Sequence, residues 1–211
     1  MTDGGSVSRA YRAVPWWLWV AALAALVLVL LRVFVVQSFS VPSGSMEPTI
    51  DPGDRLLVSR LDRSDVRRGD VVVFDGTRAF GPDPVSGTTD YVKRVIGMPG
   101  DRVVCCAAAG RLTVNGVALD EPYLYPGDRP SDLTFDIVVP AGRLWVMGDH
   151  RSASTDSRAY LGRPGGGGVP MGDVIGQVWV RYWPPDRLGS LVDGAGPGVP
   201  TPDPTTSGAS Q

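Results

Sequence analysis

The chain has 211 residues, a formal charge of −2 and 43% hydrophobic residues. That balance leaves no basic footprint for nucleic acid and holds too much apolar content for a disordered chain. One histidine and two adjacent cysteines exclude a Cys/His zinc site of ordinary spacing and a disulfide framework, so neither a metal nor a cofactor is expected.

From Trp16 to Val36 the sequence runs for 21 residues with one charge, Arg32. At about 1.5 Å per residue such a helix spans a bilayer core of about 30 Å, with Arg32 snorkelling toward the headgroups and Trp16, Trp17 and Trp19 in the interfacial belt. The run is longer than the apolar region of a cleaved signal peptide and lacks the polar stripe of a buried soluble helix. Residues 16–36 are therefore expected to form a single-pass anchor in the cell membrane. Arg9 and Arg12 precede it, and Glu47, Asp51 and Asp54 follow it. This asymmetry puts residues 1–15 in the cytoplasm and the rest outside.

Residues 37–185, 149 in all, suffice for one core. Gly-Asp pairs at Gly53, Gly69, Gly100, Gly127, Gly148 and Gly172 punctuate this body as turns. Between them lie short β-branched runs: Arg55 to Val58, Val71 to Phe74, Tyr91 to Ile96, Arg102 to Val104, Thr134 to Val139, Leu144 to Met147 and Val174 to Trp183. The stretch from Leu112 to Leu119 alternates around Asn115-Gly116 and reads as a hairpin. No window shows sustained helical periodicity, so the body is expected to be mainly β, of short coiled strands. Gly165 to Gly168 reads as a flexible loop, and residues 186–211, rich in Gly, Pro, Ser and Thr, as a disordered tail. Cys105 and Cys106 are expected as free thiols on opposite strand faces, because adjacent Cα atoms about 3.8 Å apart lie outside the usual disulfide range.

Three segments carry candidate chemistry. Val41-Pro42-Ser43-Gly44-Ser45-Met46-Glu47-Pro48-Thr49 is a tight turn presenting two hydroxyls two residues apart, although Ser and Gly occur in any turn. Tyr91-Val92-Lys93-Arg94-Val95-Ile96-Gly97 holds the one lysine among 20 basic residues. A buried amine can lose its proton where a guanidinium cannot, yet a strand lysine also commonly snorkels. Alternation puts Lys93 on one face with Tyr91 and Val95. The third segment, Gly148 to Arg158, pairs Asp149 and Asp156 with Arg151 and Arg158 in a charged loop. His150 lies within it and reads as a structural or exposed histidine rather than a triad base.

Together these segments resemble the bacterial type I signal peptidases (peptidase family S26), membrane-anchored Ser-Lys proteases. Ser43-Gly44-Ser45-Met46-Glu47-Pro48-Thr49 is similar to the family's nucleophile motif, and Arg68-Gly69-Asp70 with the following strand to its next. Tyr91 to Gly97, continuing through Pro99-Gly100-Asp101, is similar to the lysine motif. Gly148-Asp149, Arg151, Ser154 and Asp156-Ser157-Arg158 are similar to the last. All four stand in the family's order, from Trp16 to about Pro184.

The resemblance implies a coiled antiparallel catalytic sheet in which Ser45 is the nucleophile and Lys93 the general base. Ser43 and the Ser45 N–H would form the oxyanion hole, Ser154 would orient the lysine amine, and Asp149, Arg151, Asp156 and Arg158 would support the loop. It also implies substrates that are signal peptides of exported preproteins, with small residues at the first and third positions before the cut, bound as an added strand. His150 departs from the family's usual Asn. Nine residues separate Val36 from Ser45, which at about 3.3–3.6 Å per residue holds the serine within roughly 30 Å of the membrane. A Ser-Lys processing protease of narrower substrate range and an inactive membrane-tethered peptide-binding domain are the competing readings.

Overall fold

The computed structural model describes residues 15–34, 36–60, 65–82, 87–106 and 110–191, and the chain divides into two compact units, 1–35 and 36–211. In the first, α1 (Trp16–Phe34) is a helix of 19 residues. Its described side chains, which end at Val29, are all exposed. Arg9, Arg12 and the Arg32 side chain lie outside the described residues. Among the described residues no helix is long and apolar enough to cross a membrane. Val36, expected to close the apolar helix, instead opens a strand.

The second unit is mainly β. One sheet has eight strands: β1 (Val36–Ser40), β2 (Arg55–Ser59), β3 (Val71–Asp75), β4 (Asp90–Gly97), β9 (Arg143–Met147), β10 (Val169–Pro170), β11 (Val174–Trp183) and β12 (Gly189–Ser190). They run in the order β1-β2-β11-β3-β4-β9-β10, with β12 beside β11, and every pairing is antiparallel. The second sheet is β7-β6-β5-β8, made of β5 (Arg102–Cys105), β6 (Thr113–Val114), β7 (Val117–Ala118) and β8 (Phe135–Val138). Bulges interrupt β11 against both β2 and β3 and β4 against β9. An extra residue on one strand sharpens its twist, which curls the large sheet.

β3 lies inside that sheet, and its Val71, Val72, Val73 and Phe74 are all buried. Because successive side chains point to opposite faces, Val72 and Phe74 join one core cluster with Tyr91, Val95 and Val146. Val71 and Val73 join another with Val41, Met46, Ile50 and Leu56. The second of these cores seats the 41–50 segment. The predicted hairpin forms as β6 and β7, with Asn115 at φ 54° and Gly116 at φ 80°, the double positive φ that an Asn-Gly turn supplies.

Three of the six Gly-Asp turns share one build. At Asp54, Asp70 and Asp101 the carboxylate accepts the backbone N–H of the residue three earlier, at 2.9, 2.7 and 2.7 Å. The preceding Gly53, Gly69 and Gly100 take φ of 86–90°, which only glycine adopts without cost in such turns.

Three expectations are corrected. Residues 186–191 do not belong to a disordered tail: Leu191 N–H donates to Trp179 O at 2.8 Å, and Arg187 pairs with Asp54 and Asp51. The part of the tail beyond Leu191 lies outside the described residues. Gly165 to Gly168 is a bonded turn rather than a flexible loop, with Gly168 N–H on Gly165 O at 3.0 Å and Arg143 Nη1 on Gly168 O at 2.7 Å. Cys105 and Cys106 are joined as a disulfide, not free. The expectation assumed a trans peptide, whereas this one is cis and the Cα atoms are 2.9 Å apart.

Candidate active site

The 41–50 segment is a compact turn, closed by Glu47 N–H on Gly44 O at 3.1 Å and Ile50 N–H on Met46 O at 2.9 Å. Met46 and Ile50 bury into the core beneath it, so the apolar side chains hold the backbone while Ser43 and Ser45 face the sheet. Ser45 is buried, and Ser43 Oγ lies 3.5 Å from Ser45 Oγ.

Lys93 comes to the same point from β4. The residue paired with it across the sheet is Val72, and its alternation partners Tyr91 and Val95 enter the core with Val72, as the strand period requires. Only 4% of Lys93 is exposed, and its Nζ donates to Ser45 Oγ at 2.6 Å. β4 is registered with β9 from Arg94 onward. The preceding stretch, Asp90 to Lys93, instead lines a cleft of about 130 Å³ together with Phe39, Val41 and Ser43. The cleft is mostly apolar and is lined also by Ser45 and Lys93, so it can admit a small side chain beside the hydroxyl.

The loop after β9 closes the site. Gly148 N–H donates to Asp156 Oδ2 at 3.0 Å and Gly148 O accepts Arg151 Nε at 2.8 Å. A Cβ on Gly148 would collide with Ser45 O and Ser154 Oγ, so the loop packs this closely on the turn only because residue 148 has no side chain. Asp156 is fully buried and takes two bonds from the Arg158 guanidinium at 2.8 Å each. Burial alone would raise its carboxyl, but Arg158 and the Gly148 N–H outweigh that and hold it below the usual carboxylate range.

Of the expected loop pairs, Asp156 with Arg158 forms. Asp149 does not pair with Arg151 or Arg158. It takes Arg94 Nε and Nη2 at 2.8 and 2.6 Å and Thr49 Oγ1 at 2.6 Å, which ties the lysine strand, the serine turn and the loop in one buried knot. Arg151 pairs with Glu121 and donates to Pro130 O at 2.6 Å. Ser154 does not make the expected bond to the lysine: its Oγ is buried against Gly148 on the side of the Asp156 carboxylate, which it helps to hold low.

The sequence reading quoted Arg94 and Thr49 within its motifs without giving them a role, and left out Glu121 and Tyr123, whose ring lies 4.1 Å from the Arg94 guanidinium. Burial, then the Glu121 charge, pushes the Tyr123 phenol upward, so it stays neutral. Arg94 had a signal, since it sits within the lysine motif on the face opposite Lys93. Glu121 and Tyr123 had none. Among the described residues no group of three or more His, Cys, Asp or Glu could hold a metal.

The family model described as "Signal peptidase, peptidase S26" matches residues 15–183. A "Probable signal peptidase I" from Mycobacterium leprae (strain TN) is 34% identical, over 82% of this chain and 79% of that protein. A "Signal peptidase I" from Leptolyngbya laminosa is 38% identical, over 76% and 75%. A "Signal peptidase I" from Bacillus caldolyticus is 37% identical, over 81% and 89%. The matched span contains the serine turn, the lysine strand and the closing loop. The chain therefore belongs to the signal peptidase family, peptidase S26, and is a serine peptidase.

Proposed function

We propose that this chain is a membrane-anchored endopeptidase that removes signal peptides from exported preproteins, with Ser45 as nucleophile and Lys93 as general base. The observation that carries the reading is the 2.6 Å contact between Lys93 Nζ and Ser45 Oγ in the lining of a mostly apolar cleft. The signal-peptide substrate is taken from the names of the relatives.

A serine hydroxyl attacks only when a neighbour takes its proton, and a buried amine serves because desolvation favours its neutral form, whereas a guanidinium stays charged. Ser45 Oγ adds to the scissile carbonyl as its proton moves to Lys93. The oxyanion is held by the Ser45 N–H and the Ser43 hydroxyl. The amine of the mature chain leaves with that proton, and water deprotonated by Lys93 cleaves the Ser45 ester. Asp149, Arg151, Asp156 and Arg158 hold the loop against the serine turn. Ser154 packs beside them. The small cleft favours small residues before the cut, and the 90–93 stretch of β4 offers a strand for an extended substrate.

Anchoring rests on the apolar run of the sequence from Trp16 to Val36, 21 residues with one charge, and on the exposed apolar side chains between Trp16 and Val29. Orientation rests on Arg9 and Arg12.

Ser45→Ala and Lys93→Arg should each abolish cleavage of a synthetic signal peptide while leaving the thermal unfolding midpoint near that of the wild type. Appreciable turnover by a folded Lys93→Arg protein would overturn the assignment. The topology is tested separately. Protease added to intact spheroplasts should remove the body and spare residues before Trp16, and the opposite pattern would reverse the orientation.

A further inference from the structure

His150 is the chain's sole histidine, and the peptidase reading leaves it without a task. Its backbone N–H donates to Ser45 O at 3.2 Å. Its ring Nδ1 lies 3.3 Å from Gly44 O and 3.4 Å from Glu47 Oε2. A carbonyl and a carboxylate can only accept, so two acceptors meeting at one ring nitrogen require that nitrogen to carry the proton. The Glu47 carboxylate is folded back over the serine turn: a Cβ on Gly44 would stand 2.8 Å from Oε1. On its other side the ring stacks on Tyr125, centroids 3.9 Å apart and planes 7° from parallel. Tyr125 is tied in turn to the closing loop by its N–H on Asp149 O at 3.1 Å.

The other charged groups around the ring make their hydrogen bonds elsewhere, although the Asp128 carboxylate lies close enough to feel the His150 ring. Asp128, from the same loop as Tyr125, takes Ser152 N–H and Oγ at 3.1 and 2.8 Å. The flanking Asp149 and Arg151 pair with Arg94 and Glu121. Glu47 is the acid whose oxygen reaches the ring.

We propose that His150 is a positioning residue for Ser45: its Nδ1–H pins the Gly44 carbonyl, with the Glu47 carboxylate as the second acceptor that holds the ring in place. The effect on turnover rests on the peptidase reading, while the contact itself does not. The chemistry specifies the conservative replacement. The amide nitrogen of Asn, like Nδ1 of His, is bonded to the γ carbon, so Asn can deliver an N–H to Gly44 O, but it neither charges nor stacks as His does.

The test uses the full-length protein in detergent, with His150→Ala and His150→Asn assayed on a synthetic signal peptide beside thermal unfolding. His150→Ala should lower kcat roughly 10-fold, because misplacement of a nucleophile falls on kcat, with KM little changed, and His150→Asn should recover most of that loss. Full kcat in His150→Ala, or no recovery with Asn, overturns the proposal.

The contact can also be read without turnover, since one histidine gives one set of ring C–H resonances. Glu47→Gln and Tyr125→Leu should each move them, and unmoved resonances overturn the clamp even in a protein that cleaves. If they move in a protein that cleaves nothing, the clamp's contacts stand and it is the peptidase reading that fails.

Discussion

The two sheets treat their polar residues in opposite ways. In the four-stranded sheet Arg102 pairs with Asp136 across β5 and β8, with 63% and 48% of the two side chains exposed. Beside the large sheet Arg94 pairs with Asp149 at 2% and 0%. Both are bidentate arginine-carboxylate pairs, so geometry does not separate them; burial does. An exposed pair remains solvated and adds little when formed. A buried pair has given up its hydration, so either partner left alone is an uncompensated charge in the interior. The large sheet accepts that cost where β4, the serine turn and the closing loop meet, and there the fold depends most on single polar residues.

The largest effect expected from breaking this contrast is at Asp149. Asp149→Ala strands the Arg94 guanidinium and frees Thr49 Oγ1, and should destabilise the protein by about 3–5 kcal/mol, the usual cost of halving a buried pair. Chemical denaturation measures it. A loss below about 1 kcal/mol, the range of surface pairs, would erase the distinction between the sheets. Arg94→Met with Asp149→Leu should be less harmful than Asp149→Ala alone, since replacing both partners leaves no charge behind.

Acid sharpens the contrast without any mutation. Asp156 and Asp101 titrate below their ordinary value of 3.8. For Asp101 burial would raise the carboxyl, but the Arg68 guanidinium, the Met98 N–H and Asn115 outweigh it. A carboxyl depressed in the folded state contributes stability that is present above its unfolded value and lost as pH falls through the folded one. The unfolding midpoint should therefore hold down to about pH 4 and drop steeply below it. Asp70 works in the opposite sense, since burial raises it and protonating it at low pH suits the fold, so it offsets part of the loss. Arg158→Gln should flatten the acid limb by removing the partner that depresses Asp156. A limb of unchanged steepness would show that this pair does not govern it.

Much of this was readable from residue order because it is local. β3, the β6-β7 hairpin and the Asp156–Arg158 pair are decided within a few positions of each other. The serine and lysine segments were legible as motifs, although 48 residues separate Ser45 from Lys93. The choice of Asp149 for Arg94 rather than Arg151 was not legible, because a charged loop offers several partners and alternation along β4 does not say what lies beyond the strand end. β1 was hidden because Val36 continues the apolar run of α1, and apolar helix and apolar strand read alike at their junction. β10 and β12, two residues each, are too short to carry a period. Cys105–Cys106 was missed because the reading placed adjacent Cα atoms about 3.8 Å apart, whereas these lie 2.9 Å apart.

The smallest expected effect completes the comparison on the four-stranded sheet. Arg102 donates to both oxygens of Asp136 at 2.8 and 2.5 Å, and the two residues are not opposite each other in the ladder: Arg102 faces Val138 and Asp136 faces Val104. The pair is thus a diagonal bridge laid on an exposed face, and the apolar core of this sheet, with Val103, Val114, Phe135 and Trp145, lies on the other. Arg102→Ala removes the bridge but leaves the core, the backbone ladder and a carboxylate that water can solvate. Turnover and the unfolding midpoint at pH 7 should match the wild type within error, and added salt should change both proteins alike, since screening has almost nothing to act on. A drop in the midpoint comparable to that of Asp149→Ala would mean that exposure does not decide the worth of an ion pair in this molecule, and the contrast drawn from burial would fail on its easier side.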